Sequence, residues 1–222
     1  MARAELIEDI CPLSGETAKE DFWNFWTHLV GLLLSLVGFL VLVYHSATFT
    51  HLSLYPGLII YGLSQLVLFA SSTIYHGQKT VSGKYKWRII DHISIYFLLA
   101  GTFSSFLLGP FRHYFGMEMF LFQWSLVIIG TFFKMFYFDA FQKISLAYYF
   151  GMSVAFTIQF ILLNFLIPFF SFAMGMIGAF IFCLGAFFFL WDSLPYNHTI
   201  WHVFVILGMG CHYFAILGLL PT

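Results

Sequence analysis

Seven long apolar runs follow one another along the chain, separated by short polar or Pro/Gly-marked breaks. They fall near residues 22–44, 54–76, 89–109, 117–138, 146–168, 171–191 and 198–219. A helix needs roughly 20 residues to cross about 30 Å of hydrocarbon, so each run is long enough to span a bilayer. Tyr55-Pro56-Gly57, Gly109-Pro110 and the stretch from Asp192 to Pro195 mark clear turns. Between the fifth and sixth runs only Pro168 and Ser171 punctuate the segment Asn164 to Phe172. The pattern predicts an all-α, polytopic membrane protein. Residues 1–21 form a short cytoplasmic N-terminal segment, and 22–222 a single seven-transmembrane-helix bundle.

Composition agrees with this pattern. Of 222 residues, 61% are hydrophobic and only 9% charged, where a soluble domain carries roughly 25% charged residues. Nothing in so weakly charged a chain points to nucleic acid. Its formal charge of −1 matters less than where the charges lie. Seven spans put the termini on opposite sides, and basic residues then set the direction. With the N-terminus cytoplasmic, Arg3, Lys19, Lys79, Lys84, Lys86, Arg88, Lys134 and Lys143 are all inside, and only Arg112 is outside. The C-terminus is then external. The basic segment from Gly77 to Arg88 is the main inner anchor, within reach of anionic head groups.

Residues 1–19 contain Glu5, Glu8, Asp9 and Glu16 and no apolar core, so no cleavable signal peptide is expected. Cys11, Cys183 and Cys211 lack C-x-x-C spacing and imply no disulfide framework. Cys183 and Cys211 read as small packing residues within apolar runs.

Placed on this topology, the polar residues inside the spans converge. His76 closes the second span, Asp91 opens the third, and His198 and His202 open the seventh, all in the inner half. Asn24, Thr27 and His28 lie at the same depth in the first span, whereas His45, His51 and His113 scatter in outer loops. Ionisable groups at such depth are costly and mark functional sites by default. His198 and His202, at i and i+4, point to one helix face about 6 Å apart along the axis. Ser72 lies one turn deeper than His76 on the same face. Three neutral imidazoles suit Zn²⁺ and leave a fourth tetrahedral position for water. A nearby carboxylate, here Asp91, would orient that water or accept its proton.

Simpler roles fit the same residues. A histidine in a membrane helix often serves only as a hydrogen-bonded bundle residue. Asp91 could pair with Arg88 or Lys86, and Ser72 could bond the carbonyl one turn back on its own helix. His28 could be a fourth ligand, packing, or, the preferred reading, a hydrogen-bonding support of the ligands. His92 and His212 are weaker candidates still, and His212, ten residues beyond His202 towards the outer side, reads as structural.

Four segments resemble the hemolysin III family, the bacterial branch of the progestin and adiponectin receptor group of seven-span proteins. Asp21-Phe-Trp-Asn24-Phe-Trp-Thr27-His28 is similar to the family's E-x-x-N-x-x-T-H entry into span one, with Asp in place of the usual Glu. Ser72 to His76 matches S-x-x-x-H. Asp91 to Tyr96 matches D-H-x-x-I-Y, with the A-G-T of Ala100-Gly101-Thr102 downstream. His198 to Val205 matches H-x-x-W-H-x-F-V. The likeness runs from the first span to the last.

The resemblance implies a zinc ion on His76, His198 and His202, with Ser72 and Asp91 beside it. It also implies residence in a bacterial inner membrane. Related alkaline ceramidases use a similar set to hydrolyse a lipid amide. The expected function is therefore a zinc-dependent hydrolase of a lipid amide or ester, with membrane lipid and a lipid-like small molecule as partners. Two others remain: a receptor-like regulator of membrane fluidity or energy state with structural zinc, and a cytolytic pore-former. So hydrophobic a chain, with no soluble precursor domain, argues against the last.

Overall fold

A computed structural model describes residue 7 and residues 9–49, 55–142 and 144–220. Arg3, Glu5, Glu8, His51 and Lys143 lie outside the described residues. Long helices run over Ala18–Phe49 (α1), Tyr55–Gly77 (α2), Val81–Leu107 (α3), Met117–Phe136 (α4), Ser145–Leu162 (α6), Phe169–Phe189 (α7) and Asn197–Leu217 (α8). A short helix, Phe138–Gln142 (α5), joins α4 to α6. Seven of these helices are long and apolar enough to cross a membrane. The protein is an all-α, seven-span membrane protein.

Local chemistry sets the helix ends. Before α1, Thr17 and Glu20 form a reciprocal capping box. The Thr17 N–H donates to Glu20 Oε2 at 2.9 Å, and the Glu20 N–H donates to Thr17 Oγ1 at 3.3 Å. Thr80 caps α3, its hydroxyl accepting from the Gly83 N–H at 3.2 Å. That cap starts the third helix at Val81, eight residues before its apolar run, so much of the basic segment is helix rather than loop. The fifth span ends earlier than expected, at Leu162. A single 3-10 turn over Asn164–Leu166 follows it, and Pro168, which has no N–H to lose, opens α7. His45 lies inside α1 rather than in a loop, and His113 is exposed in a π-helical turn over Arg112–Gly116.

Helix α2 packs along α1 on one side and α3 on the other; α7 pairs with α8, and α8 returns to α1. Small residues allow the close approach that holds membrane helices together. A Cβ on Gly101 of α3 would lie 2.1 Å from Ser64 Oγ of α2. The buried apolar core includes Tyr61 and Phe69 of α2, Phe103 and Phe106 of α3, Phe156 of α6 and Met209 of α8. Phe103 and Phe156 stack at 3.9 Å between ring centres. With the bundle so arranged, the start of α1, the end of α2 and the starts of α3 and α8 meet at one end.

The segment before α1 is not a loose tail. Residues 9–17 fold back on themselves: Ile10 and Thr17 make an antiparallel bridge, the Cys11 N–H donates to the Glu16 carbonyl at 2.9 Å, and Gly15 turns the chain at φ 75°. Arg88 fastens this loop to α3 by donating to the Leu13 carbonyl at 2.8 Å. All three cysteines are free; Cys11 is buried in this loop, and Cys183 faces outward from α7 rather than packing inside.

Candidate metal centre

His76 ends α2, and His198 and His202 lie on the first turns of α8. Their ring centres are 5.1 Å apart from His76 to either partner, and 4.5 Å between His198 and His202. One ligand nitrogen from each lies within 4.8 Å of the other two, a spacing that could hold a single metal ion. His76 and His202 are buried and His198 is partly so.

The Nδ1 atoms are already engaged. His76 Nδ1 lies 2.8 Å from Asp21 Oδ1, and His198 Nδ1 lies 2.5 Å from Glu16 Oε1. His202 Nδ1 lies 3.3 Å from the Asn24 carbonyl and 3.2 Å from the Thr27 hydroxyl, whose own proton goes to backbone carbonyls. An ionised carboxylate or a carbonyl can only accept, so each Nδ1 carries the proton and donates it. The Nε2 lone pair of every ring is left for a ligand. His76 Nε2 is buried with no hydrogen-bond partner. This is the outer-shell arrangement that orients metal-binding imidazoles and raises their basicity. The donor set therefore fits zinc: three imidazoles, each bonded at Nδ1, with a ligand nitrogen of each within 4.8 Å of the others.

The supporting acids are themselves held. Asp21 pairs with Lys84, whose side chain is wholly buried rather than in an aqueous loop. Glu16 also accepts from Asn24 Nδ2 at 2.9 Å, and Asn24 Oδ1 accepts from Thr199 at 2.5 Å, which ties α1 to α8. Burial alone would push the Glu16 carboxyl up, but the charge and hydrogen bond of His198, with His76 nearby, hold it well below the usual carboxylate range. Glu20 receives the Tyr196 N–H at 3.2 Å, fixing the left-handed residue that leads into α8.

Asp91 and Ser72 border this triad without joining it. Among the described residues Asp91 is not close enough to share an ion with the three histidines. It is buried on α3, near Ser72 and within electrostatic range of His198. Neither simpler role is seen. Arg88 bonds Leu13 instead of Asp91. It is Ser71, at 2.9 Å, that bonds back to its own helix through Leu68, while the buried Ser72 hydroxyl lies beside the Asp91 carboxyl. A cavity of about 360 Å³ opens beside His76 and Asp21, lined by Phe22, Phe25 and Trp26 of α1 and by Lys79.

The haemolysin-III related family profile matches residues 16–213, from the first supporting acid to the last helix. The chain belongs to the haemolysin-III related family. It is 33% identical over 205 residues to Hemolysin-3 of Bacillus cereus, covering 92% of this chain and 94% of the relative. It is 33% identical over 201 residues to the Hemolysin-3 homolog of Bacillus subtilis (strain 168), covering 90% and 94%. The human monocyte to macrophage differentiation factor is 29% identical over 170 residues, covering 71% of this chain and 67% of that one.

Within this family fold, the sequence singled out His76, His198 and His202, and the structure brings them together. Asp21 appeared only as a motif position with Asp in place of the usual Glu, yet it contacts His76. His28 does not support the ligands by hydrogen bonding as expected; neither ring nitrogen has a partner. Glu16 was missed as a site residue, although the T-A-K-E capping box one residue later fixes where α1 begins and hence where Glu16 enters. His92 and His212 lie away from the triad. His92 meets the buried Lys134 of α4 at 3.4 Å, and His212 packs against Gly178 of α7.

Proposed function

We propose that this protein is a zinc-dependent intramembrane hydrolase of a lipid amide or ester, seated in a bacterial cytoplasmic membrane with its N-terminus inside. The single observation that carries the reading is that His76, His198 and His202 converge and each meets an oxygen acceptor at Nδ1, which leaves Nε2 for a ligand. Such a centre is built for a cation. Zinc bound there would supply a Lewis acid for a carbonyl and a water acidified towards about pH 7.

The remaining chemistry belongs to the chain. In this reading the Asp91 carboxylate takes a proton from an attacking water and returns it to the leaving nitrogen or oxygen as the amide or ester bond breaks, ending as it began. The Ser72 hydroxyl, buried beside the Asp91 carboxyl, would donate to the substrate carbonyl oxygen as negative charge builds on it. The cavity beside His76 is lined by aromatic side chains that suit an acyl chain and by Lys79, which suits a polar or anionic head group.

A second reading keeps zinc as a structural tie between α2 and α8 in a receptor-like regulator. The burial of His76 and His202 favours it, since a shielded ion stabilises without reacting. Turnover separates the two. Purified protein is assayed on lipid amides and esters as wild type, Asp91→Ala and His202→Ala. The hydrolase reading expects product from the wild type and a loss of at least about 100-fold in both variants. Equal turnover by all three removes it, and the absence of turnover with zinc retained favours the structural tie.

A further inference from the structure

One face of α1 repeats the order of half a bilayer. Lys19 is exposed on its first turn; Phe22, Trp23 and Trp26 follow at i+3, i+4 and i+7, all exposed, and Val30, Leu33 and Val37 continue the stripe. A cation, then aromatic rings, then aliphatic chains is the succession of head group, interface and hydrocarbon met on entering a membrane. Anchoring alone would explain such a stripe. It does not explain the cavity beside it.

Phe22 and Trp26 line that cavity together with Phe25, and α2 contributes His76 and Gly77, with Lys79 just beyond its end. The cavity therefore lies in the seam between the two helices and reaches a residue of the histidine triad. Asp21 is also in the lining, but its two oxygens are taken by His76 and the buried Lys84. Lys79 is exposed, and among the described residues no carboxylate pairs with it. The seam thus offers a positive charge three residues along the chain from His76, with an aromatic lining between α1 and α2. A lipid whose anionic head group lies a few bonds from its amide or ester matches that arrangement.

We propose that the seam between the start of α1 and the end of α2 is a lateral entry from the leaflet in which α1 begins, and that the lipid it admits is anionic. The head-group oxygens meet Lys79, the chain lies along Phe22 and Trp26, and the amide or ester bond reaches His76. The fate of that bond rests on the hydrolase reading above; the entry site adds Lys79 as the residue that selects substrate charge.

The test uses full-length protein in detergent, with phosphatidylglycerol and phosphatidylcholine supplied at equal concentration and bound lipid counted by native mass spectrometry. Wild type should retain phosphatidylglycerol at least about fivefold over phosphatidylcholine. Lys79→Glu should abolish the preference, and Lys19→Glu, which reverses a charge on α1 outside the cavity, should keep it. Equal retention of the two lipids by wild type, or an unchanged preference in Lys79→Glu, overturns the entry site. An equal loss in both variants also overturns it, since that marks a general surface attraction. Displacement by glycerol phosphate, the head group without chains, would overturn a lipid as the occupant. Turnover keeps the two proposals apart. A preference that depends on Lys79, without hydrolysis of any lipid, leaves the entry site standing and sinks the hydrolase reading. Where hydrolysis occurs, Lys79→Glu should raise KM about fivefold more for anionic than for zwitterionic substrates. Unchanged selectivity in that variant overturns the role of Lys79 while the hydrolase stands.

Discussion

Glu16 and His198 are 182 residues apart in the chain and meet at 2.5 Å, carboxylate to Nδ1. The contact joins the loop before α1 to the first turn of α8, and with it the first and last helices of the bundle. It also fixes which nitrogen of His198 remains free. Glu16→Gln keeps the shape of the side chain and removes its charge. It should weaken zinc binding about 10- to 100-fold by chelator competition, with helical content unchanged.

Asp21 carries two partners, and its removal should expose the difference between them. Asp21→Ala leaves Lys84 buried without its counter-charge, at a cost on the order of 3 kcal/mol. Thermal unfolding of the metal-free protein should show that loss. Asp21→Ala with Lys84→Met should recover most of the stability while zinc affinity stays low. Recovery of both would mean that Asp21 serves only the lysine.

Acid should act on the fold through Glu16. Its carboxyl is held below the ordinary 4.5 in the folded protein. The stability it contributes is therefore complete above about pH 4.5 and is lost as pH falls towards the folded value. Metal-free wild type should lose stability below pH 4.5 more steeply than metal-free Glu16→Gln. Parallel curves would show that the pairing with His198 contributes nothing. Zinc should leave the loaded protein at a higher pH than this, because protons compete directly for imidazole ligands.

Close packing of α2 on α3 places Ser72 near Asp91, and Gly101 sets that packing. Gly101→Ala puts a methyl 2.1 Å from Ser64 Oγ, and overpacking of this kind costs about 1–3 kcal/mol. Ser64→Gly in the same protein should restore the melting temperature. No change in Gly101→Ala alone would show that the interface is looser than its contacts indicate.

Much of this was legible along the chain because lipid imposes a simple rule. Every apolar run of sufficient length became a helix, and the i, i+4 pair His198 and His202 lay on one face as spacing required. What was not legible was pairing at long range. Lys84 reads as one of several charges in a basic segment, and only the fold shows it buried against Asp21. Glu16 sits among acids of an N-terminal segment with no apolar pattern, and its partner lies at the far end of the chain. Span ends moved where capping overrode hydrophobicity, as Thr80 does for α3. His28 looked like a hydrogen-bonding support; its stacking on His202 depends on how α1 and α8 meet.

The account stands on one cation held in common by His76, His198 and His202. The direct measurement is metal content by mass spectrometry of protein purified without added metal, set beside His76→Ala and His198→Ala. About one zinc per chain in the wild type, lost in both variants while they remain folded, is the predicted result. A folded wild type without metal, or equal zinc in all three proteins, would contradict it.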